Sequence, residues 1–167
     1  RGKFKPPISN VISWEYLNTD ESTKPDYEFS AEKIEIGSSS FDFIVLTEVL
    51  EHLENPTLAL NESYRLLKKG GSLIITMPFL YGIHGDPNDF QRWTPAKFNL
   101  VLSKAGFKKI EIIAMGGFFA VLYDLLRMSL GTASKNRKSI KVKVINRLIM
   151  PVLPKIFIYL DRIYDYK

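Results

Sequence analysis

The chain contains no cysteine among its 167 residues, which excludes a disulfide framework and any thiolate metal site and suits a reducing, cytoplasmic setting. It also lacks an uninterrupted apolar run of the roughly 18 to 20 residues that a spanning helix needs. Its start, "RGKFKPPISN", has no apolar core of the signal-peptide kind. Internal repeats and low-complexity segments are absent too, so solenoids and fibrous architectures drop out. Acidic residues are missing from one place in particular. The stretch "SKNRKSIKVKVINR", 134–147, holds Lys135, Arg137, Lys138, Lys141, Lys143 and Arg147 without a single Asp or Glu, and it accounts for the net charge of +5. A run of this kind is a solvated basic loop or a surface for phosphate, and peripheral membrane contact through 135–167 is the partner expectation it supports. Nucleic acid is not expected, because no basic face interleaved with aromatics spans the rest of the chain.

What is present is the balance of one globular domain, 46% apolar and 25% charged. Apolar runs alternate with helical patterns, which points to an α/β fold with a mostly parallel sheet. Strands are expected at "NVISWEYLN", "YEFSA", "FDFIVLTEV", "SLIITMPF" and "KKIEIIAM". Phe43, Ile44, Val45 and Leu46 leave no polar face, which is the pattern of a strand buried on both sides. "KIEIGSSS" reads as a loop. Pro56 opens a helix carrying Leu58, Leu60, Tyr64, Leu66 and Leu67 at helical spacing, and "KKGG" stands where that helix should stop. A second helix begins near Pro95, presents Phe98, Val101 and Leu102 on one side and ends at Gly106. "GGFFAVLYDLLRMSLG" is a third, amphipathic helix, and Pro151 and Pro154 divide the last stretch into two short helical pieces. Residues 1–130 form the α/β domain in this reading, and 131–167 a basic linker with a helical extension.

The succession "FDFIVLTEVLEHLENPTLALNESYRLLKKGGSLIITMPF", continued through "AGFKKIEII", resembles the second half of a class I S-adenosylmethionine-dependent methyltransferase of the methyltransferase-11 kind. The resemblance covers about 11–114. It implies a Rossmann-like, doubly wound, mostly parallel sheet with helices on both faces, and S-adenosylmethionine as cofactor, in a crevice beyond the carboxyl ends of the strands. On that template Asp20 ends a strand where an acceptor takes the ribose hydroxyls, against the alternative of a turn or helix-cap aspartate. Ser30 and Ala31 fall on the adenine loop, with Ser30 where the family usually carries an acid. Thr47 and Glu48 stand beside the methionine portion. The Gly-rich loop of the family, with its E/D-x-G-x-G-x-G pattern, is not in this sequence. "RGKFKPP" resembles its tail, with Gly2 as the last glycine, and the family's seventh strand would lie beyond Lys167, so the residues are expected to be the interior of a longer chain.

"HGDPNDFQRWT" resembles an H-x-D-P-x-D-[FY]-x-R-[FWY]-T segment found after the fifth strand in a methyltransferase subgroup that includes glycan and small-metabolite enzymes. His84 is then the candidate general base, Asp86 and Asp89 its orienting or substrate-binding acids, and Arg92 a clamp for an anionic acceptor. Against this, His84, Asp86 and Asp89 can cap a turn, and Asp89 and Arg92 can pair at i, i+3. Glu51 and His52 read as a capping acid and a histidine packed on a neighbouring helix. A metal centre is not expected there, since one His and two Glu within five residues should not converge on a strand-to-helix turn. The function expected is methyl transfer to a small-molecule or glycan-like acceptor; the alternatives are a methyltransferase-fold scaffold without catalysis and, more distantly, a hydride-transfer Rossmann enzyme. The oligomeric state does not follow from the sequence.

Overall fold

The computed structural model describes residues 10–85, 88–136, 147 and 151–164. The chain divides into two compact units. The first comprises 1–77 and 85–110, and the second 78–84 and 111–167.

In the first unit, β1 (Phe41–Thr47) and β2 (Leu67–Thr76) run parallel, in register from Phe43 opposite Ser72 to Thr47 opposite Thr76. They are joined through a 3-10 turn, η2 (Leu50–His52), and helix α1 (Pro56–Leu66). A parallel pair needs such a crossover, because a hairpin cannot return the chain in the same direction. The result is a βαβ unit of the Rossmann-like α/β class. Pro56 occupies the start of α1, where its missing N–H costs nothing. The helix buries Pro56, Ala59, Leu60, Ser63 and Leu66, and Ser63 returns its hydroxyl to the Ala59 carbonyl at 2.7 Å. Leu60, Leu66 and Leu67 are buried as the spacing predicts, whereas Leu58 and Tyr64 are exposed, Leu58 on the side opposite Pro56 and Tyr64 on the flank of the buried face.

The helix stops at Leu66, just ahead of "KKGG", as expected. "KKGG" itself lies inside β2, at an irregularity where Phe41 opposes Leu67 and Phe43 already opposes Ser72. A Cβ on Gly71 would stand 2.9 Å from the Asp42 carbonyl oxygen, so only glycine lets the bulging strand pass its neighbour there. Helix α2 (Pro95–Ala105) is capped by Thr94 at its start and by Gly106, with φ 104°, at its end. Its Val101 and Leu102 are buried as the spacing predicts. They join Leu50, Ala59, Leu60 and Trp93 in one cluster, which Leu46, Leu73 and Phe98 flank. Apolar burial on this scale, at about 1.5–3 kcal/mol for each large side chain, is what holds α1 and α2 together.

Three expected strands take other forms. Around 11–29 the described residues form no ladder beyond a single parallel bridge, Leu17 to Tyr27, and "YEFSA" carries that bridge at Tyr27 and a second of Ser30 to Lys33. "KKIEIIAM" forms no strand, and Ile113 and Met115 are left exposed. β1 itself is less enclosed than its apolar run predicts, with Phe43 exposed, because among the described residues β2 is its one partner.

A clamp ties the loop before β1 to α1. Arg65 donates to the Ile34 and Ile36 carbonyls at 2.8 and 2.7 Å and meets Glu62 through Nε and Nη2, both at 2.8 Å. Glu62 in turn accepts the Ile34 N–H at 2.8 Å. The loop reading of "KIEIGSSS" holds for this reason: its polar backbone groups are answered by side chains of α1, with no strand to pair with.

The second unit pairs α3 (Phe118–Asn136) with α4 (Leu153–Ile163). Asp161 of α4 accepts the backbone N–H groups of Gly117, Phe119 and Ala120 at 3.3, 2.8 and 2.9 Å, a carboxylate answering the donors that a helix start leaves without intrahelical partners. Phe119 also stacks near Phe157 and Tyr164. Of the two expected C-terminal pieces, one is α4, entered through Pro154; the other, and nearly all of the basic run, lie outside the described residues. No described helix is long and apolar enough to cross a membrane.

The hydrogen bonds from Arg65 hold the Glu62 carboxyl below the usual carboxylate range. A depressed acid contributes stability above its unfolded pKa, and that contribution disappears as pH falls through the folded value. Urea denaturation of the wild type should therefore show about 1 kcal/mol lost over that acidic window, and Glu62→Gln should lack this component while being less stable than wild type at neutral pH. A variant with the wild-type acid slope would contradict the clamp.

Candidate functional site

The carboxyl end of β1 is where the chemistry-bearing residues begin. Thr47 ends the strand opposite Thr76. Glu48 then takes φ 53°, a left-handed conformation rare outside glycine, asparagine and aspartate. Its N–H donates to the Thr76 carbonyl at 3.1 Å, and its Oε1 accepts the Thr76 hydroxyl at 2.8 Å. Both strand ends are thus pinned to each other, and the exposed Glu48 carboxylate is held beside them. Local strain of this kind persists only where surrounding bonds over-determine it.

Two residues on, the chain turns inward. Leu50 and Glu51 are both fully buried. Neither Glu51 carboxylate oxygen has a hydrogen-bond partner among the described residues, and burial pushes its pKa up. His52 follows with Nε2 3.7 Å from Glu51 Oε1. Its Nδ1 lies 2.5 Å from the Asn88 carbonyl oxygen, which can only accept, so Nδ1 carries the proton. The Glu51 carboxylate caps no helix among the described residues, and the His52 ring meets the segment around Asn88.

The segment 88–93 is docked on this turn. Phe90 donates its N–H to the Glu51 carbonyl at 2.8 Å. Gln91 Nε2 donates to the carbonyls of Leu53 and Leu50 at 2.9 and 3.3 Å, and its Oε1 accepts Trp93 Nε1 at 2.8 Å. One amide therefore closes the Leu53 carbonyl and adds a second donor to the Leu50 carbonyl, which also accepts the Leu53 N–H at 3.4 Å. Trp93 is core, only 6% exposed, in edge contact with Phe98 at 5.2 Å.

Of the sequence-predicted residues, Asp89 and Arg92 come together. Arg92 grips Asp89 through both terminal nitrogens, one bond Nη1 to Oδ1 and the other Nη2 to Oδ2 at 2.7 Å, and also donates to the Gln91 carbonyl. The Asp89 side chain is 2% exposed, and its hydrogen bonds raise the Arg92 pKa further. This is the i, i+3 pairing, a bidentate pair turned inward. His84 belongs to the second unit, half-buried, with Nδ1 3.2 Å from the Gly82 carbonyl oxygen and its ring edge-on to Tyr81. Asp86 and Gly2 lie outside the described residues.

Asp20 caps a 3-10 turn, η1 (Glu21–Thr23), accepting the Ser22 N–H at 2.9 Å. Hydrogen bonds from Ser22 lower its pKa, so an exposed anion stands there. Ser30 turns its hydroxyl to the Glu32 N–H at 3.2 Å, and Ala31 packs on the core cluster. Glu32 accepts the N–H of Asn55, ahead of α1, at 2.7 Å. A separate open cleft of about 280 Å³ lies between α1 and α2, lined by Thr57, Asn61, Lys97 and Lys104.

Residues 12–75 match the family model described as a methyltransferase domain. The match covers well under half of the chain, and the parallel βαβ unit is compatible with it. Among solved structures, the chain is similar to a Bacillus halodurans protein assigned as a methyltransferase, at 22% identity over 51% of this chain and 42% of that one, with a TM-score of 0.45. It is also similar to phosphoethanolamine N-methyltransferase 2 of Haemonchus contortus, at 17% identity over 78% of this chain and 33% of that one, with a TM-score of 0.47. The same enzyme bound to S-adenosyl-L-methionine matches over 80% of this chain and 32% of that one, also at 0.47. The chain thus spans less than half the length of these proteins. No curated protein sequence matches it.

Replacing Gln91 by Ala removes the donor to the Leu53 carbonyl, one of two donors to the Leu50 carbonyl, and the acceptor of the Trp93 N–H. Urea denaturation should show a loss of roughly 2 kcal/mol; an unchanged midpoint would mean that the amide does not hold the segment.

Proposed function

We propose that these residues form part of an S-adenosylmethionine-dependent methyltransferase acting on a small-molecule or glycan-like acceptor. The observation that carries the reading is the end of β1, where methyltransferase-domain sequence leads into a strained, exposed Glu48 fixed on Thr76. The donor set fits the cofactor's polar groups. Asp20 is an exposed anion able to accept from a ribose diol, Glu48 an acceptor for an ammonium, and Ser30 with Ala31 the edge for an adenine. When bound, the cofactor supplies an electrophilic methyl group on a sulfonium.

The chain's own part is binding and proton handling. Methyl transfer is an in-line displacement, so holding the acceptor in place supplies much of the acceleration. With Nδ1–H directed at the Gly82 carbonyl, His84 carries its lone pair on Nε2, the tautomer that a general base for an acceptor hydroxyl or amine needs. Asp89 and Arg92, paired with each other, act by fixing the 88–93 segment and not as a free clamp. Exposed Ile158, Tyr159 and Ile163 on α4, close in sequence to the basic run, support peripheral contact with an anionic membrane. A scaffold reading without catalysis draws support from Ser30, which stands where an acid is usual and is occupied by its own turn.

Calorimetry on the full-length protein separates these readings. S-adenosylmethionine and S-adenosylhomocysteine should both bind, and Asp20→Ala should weaken them by about tenfold or more, which is about 1.4 kcal/mol. Absence of binding at millimolar ligand would remove the enzyme reading, and binding without transfer to any tested acceptor would favour the scaffold.

A further inference from the structure

We propose that Glu51 and His52 form a divalent-cation site at the carboxyl end of β1. The starting point is a carboxylate that nothing answers. Glu51 is fully buried, and both of its oxygens lack hydrogen-bond partners among the described residues. Buried acids are normally paired, hydrogen-bonded or bound to a metal. The Arg92 guanidinium forms no hydrogen bond to Glu51: its terminal nitrogens are committed to Asp89 and to the Gln91 carbonyl, and its buried Nε has no partner among the described residues.

The group that does face Glu51 is His52. Nε2 stands 3.7 Å from Oε1, too far for a hydrogen bond. Two donors at that separation, each about 2.1 Å from a common ion, subtend roughly 120° at it, which tetrahedral and five-coordinate sites accommodate. The tautomer fits as well. Nδ1–H is directed at the Asn88 carbonyl, so the Nε2 lone pair is turned to the Glu51 side; a histidine that binds metal through one nitrogen and a backbone carbonyl through the other has this arrangement. The Asn88 carbonyl belongs to the segment that Phe90 and Gln91 anchor, so the imidazole is oriented by the same bonds that fix the turn.

One oxygen and one imidazole nitrogen favour Mn²⁺, Fe²⁺ or Zn²⁺ over Ca²⁺, which prefers an all-oxygen shell. Two protein donors leave the other positions of the ion to water or to oxygens of a bound molecule. The site does not depend on the cofactor reading and is measured without S-adenosylmethionine. Chelator-treated full-length protein titrated with Mn²⁺, with free ion followed by electron paramagnetic resonance, should take up one ion per chain. Glu51→Gln and His52→Ala should each weaken uptake by about tenfold or more, while Asp42→Asn, at an exposed acid paired with Lys68, should leave it unchanged. If Glu51→Gln fails to fold, His52→Ala still decides, since His52 is at the edge of the buried region. Absence of stoichiometric uptake by the wild type, or uptake that His52→Ala leaves intact, would overturn the site.

Discussion

Phe90 donates its backbone N–H to the Glu51 carbonyl at 2.8 Å, and Gln91 closes the neighbouring Leu50 and Leu53 carbonyls with a single amide. The first unit depends on this docking. A three-residue 3-10 turn has too few internal bonds to hold a fixed shape, and its carbonyls must find partners elsewhere once Leu50 is buried. The segment 88–93 supplies them. By doing so it seats Trp93 in the core, orients His52 through the Asn88 carbonyl, and encloses Glu51.

The same docking explains how two unfavourable features sit within four residues. Glu48 adopts a left-handed backbone conformation, and Glu51 is an acid without a hydrogen-bond partner in the core. Each costs about 1–3 kcal/mol or more in isolation. Sequences rarely keep such features where packing alone matters, and their concentration at the end of a parallel strand, where α/β sheets receive ligands, is the physical ground for placing function there.

Much of the fold was legible in the sequence because it rests on local signals. Pro56, Pro95 with Thr94, and Gly106 mark helix ends by backbone chemistry alone, and β1 and β2 are dense in β-branched and aromatic residues. The misreadings have physical causes. Leu58 and Tyr64 satisfy a helical period without facing inward, and a period does not say which face has a partner. "KKIEIIAM" has strand composition but no ladder to join among the described residues, and a strand is defined by its neighbour. "KKGG" does stand just past the helix end at Leu66, but its glycine also serves the β-bulge, by close approach to the Asp42 carbonyl.

The site was legible only in part. Thr47 and Glu48 follow from the end of an apolar run, and the Asp89 to Arg92 pairing follows from spacing. Gln91 and the Arg65 clamp were not readable, because each bonds to backbone carbonyls distant in sequence. Glu51 carried a weak signal, an acid between Leu50 and Leu53 at the spacing of a buried turn. Hydrogen exchange at the Phe90 amide tests the docking most directly. The account predicts strong protection, lost in a Gln91→Ala variant; exchange of the wild-type amide at the rate of an unstructured chain would show that the segment is not docked on the turn and would remove the frame around Glu51 and His52.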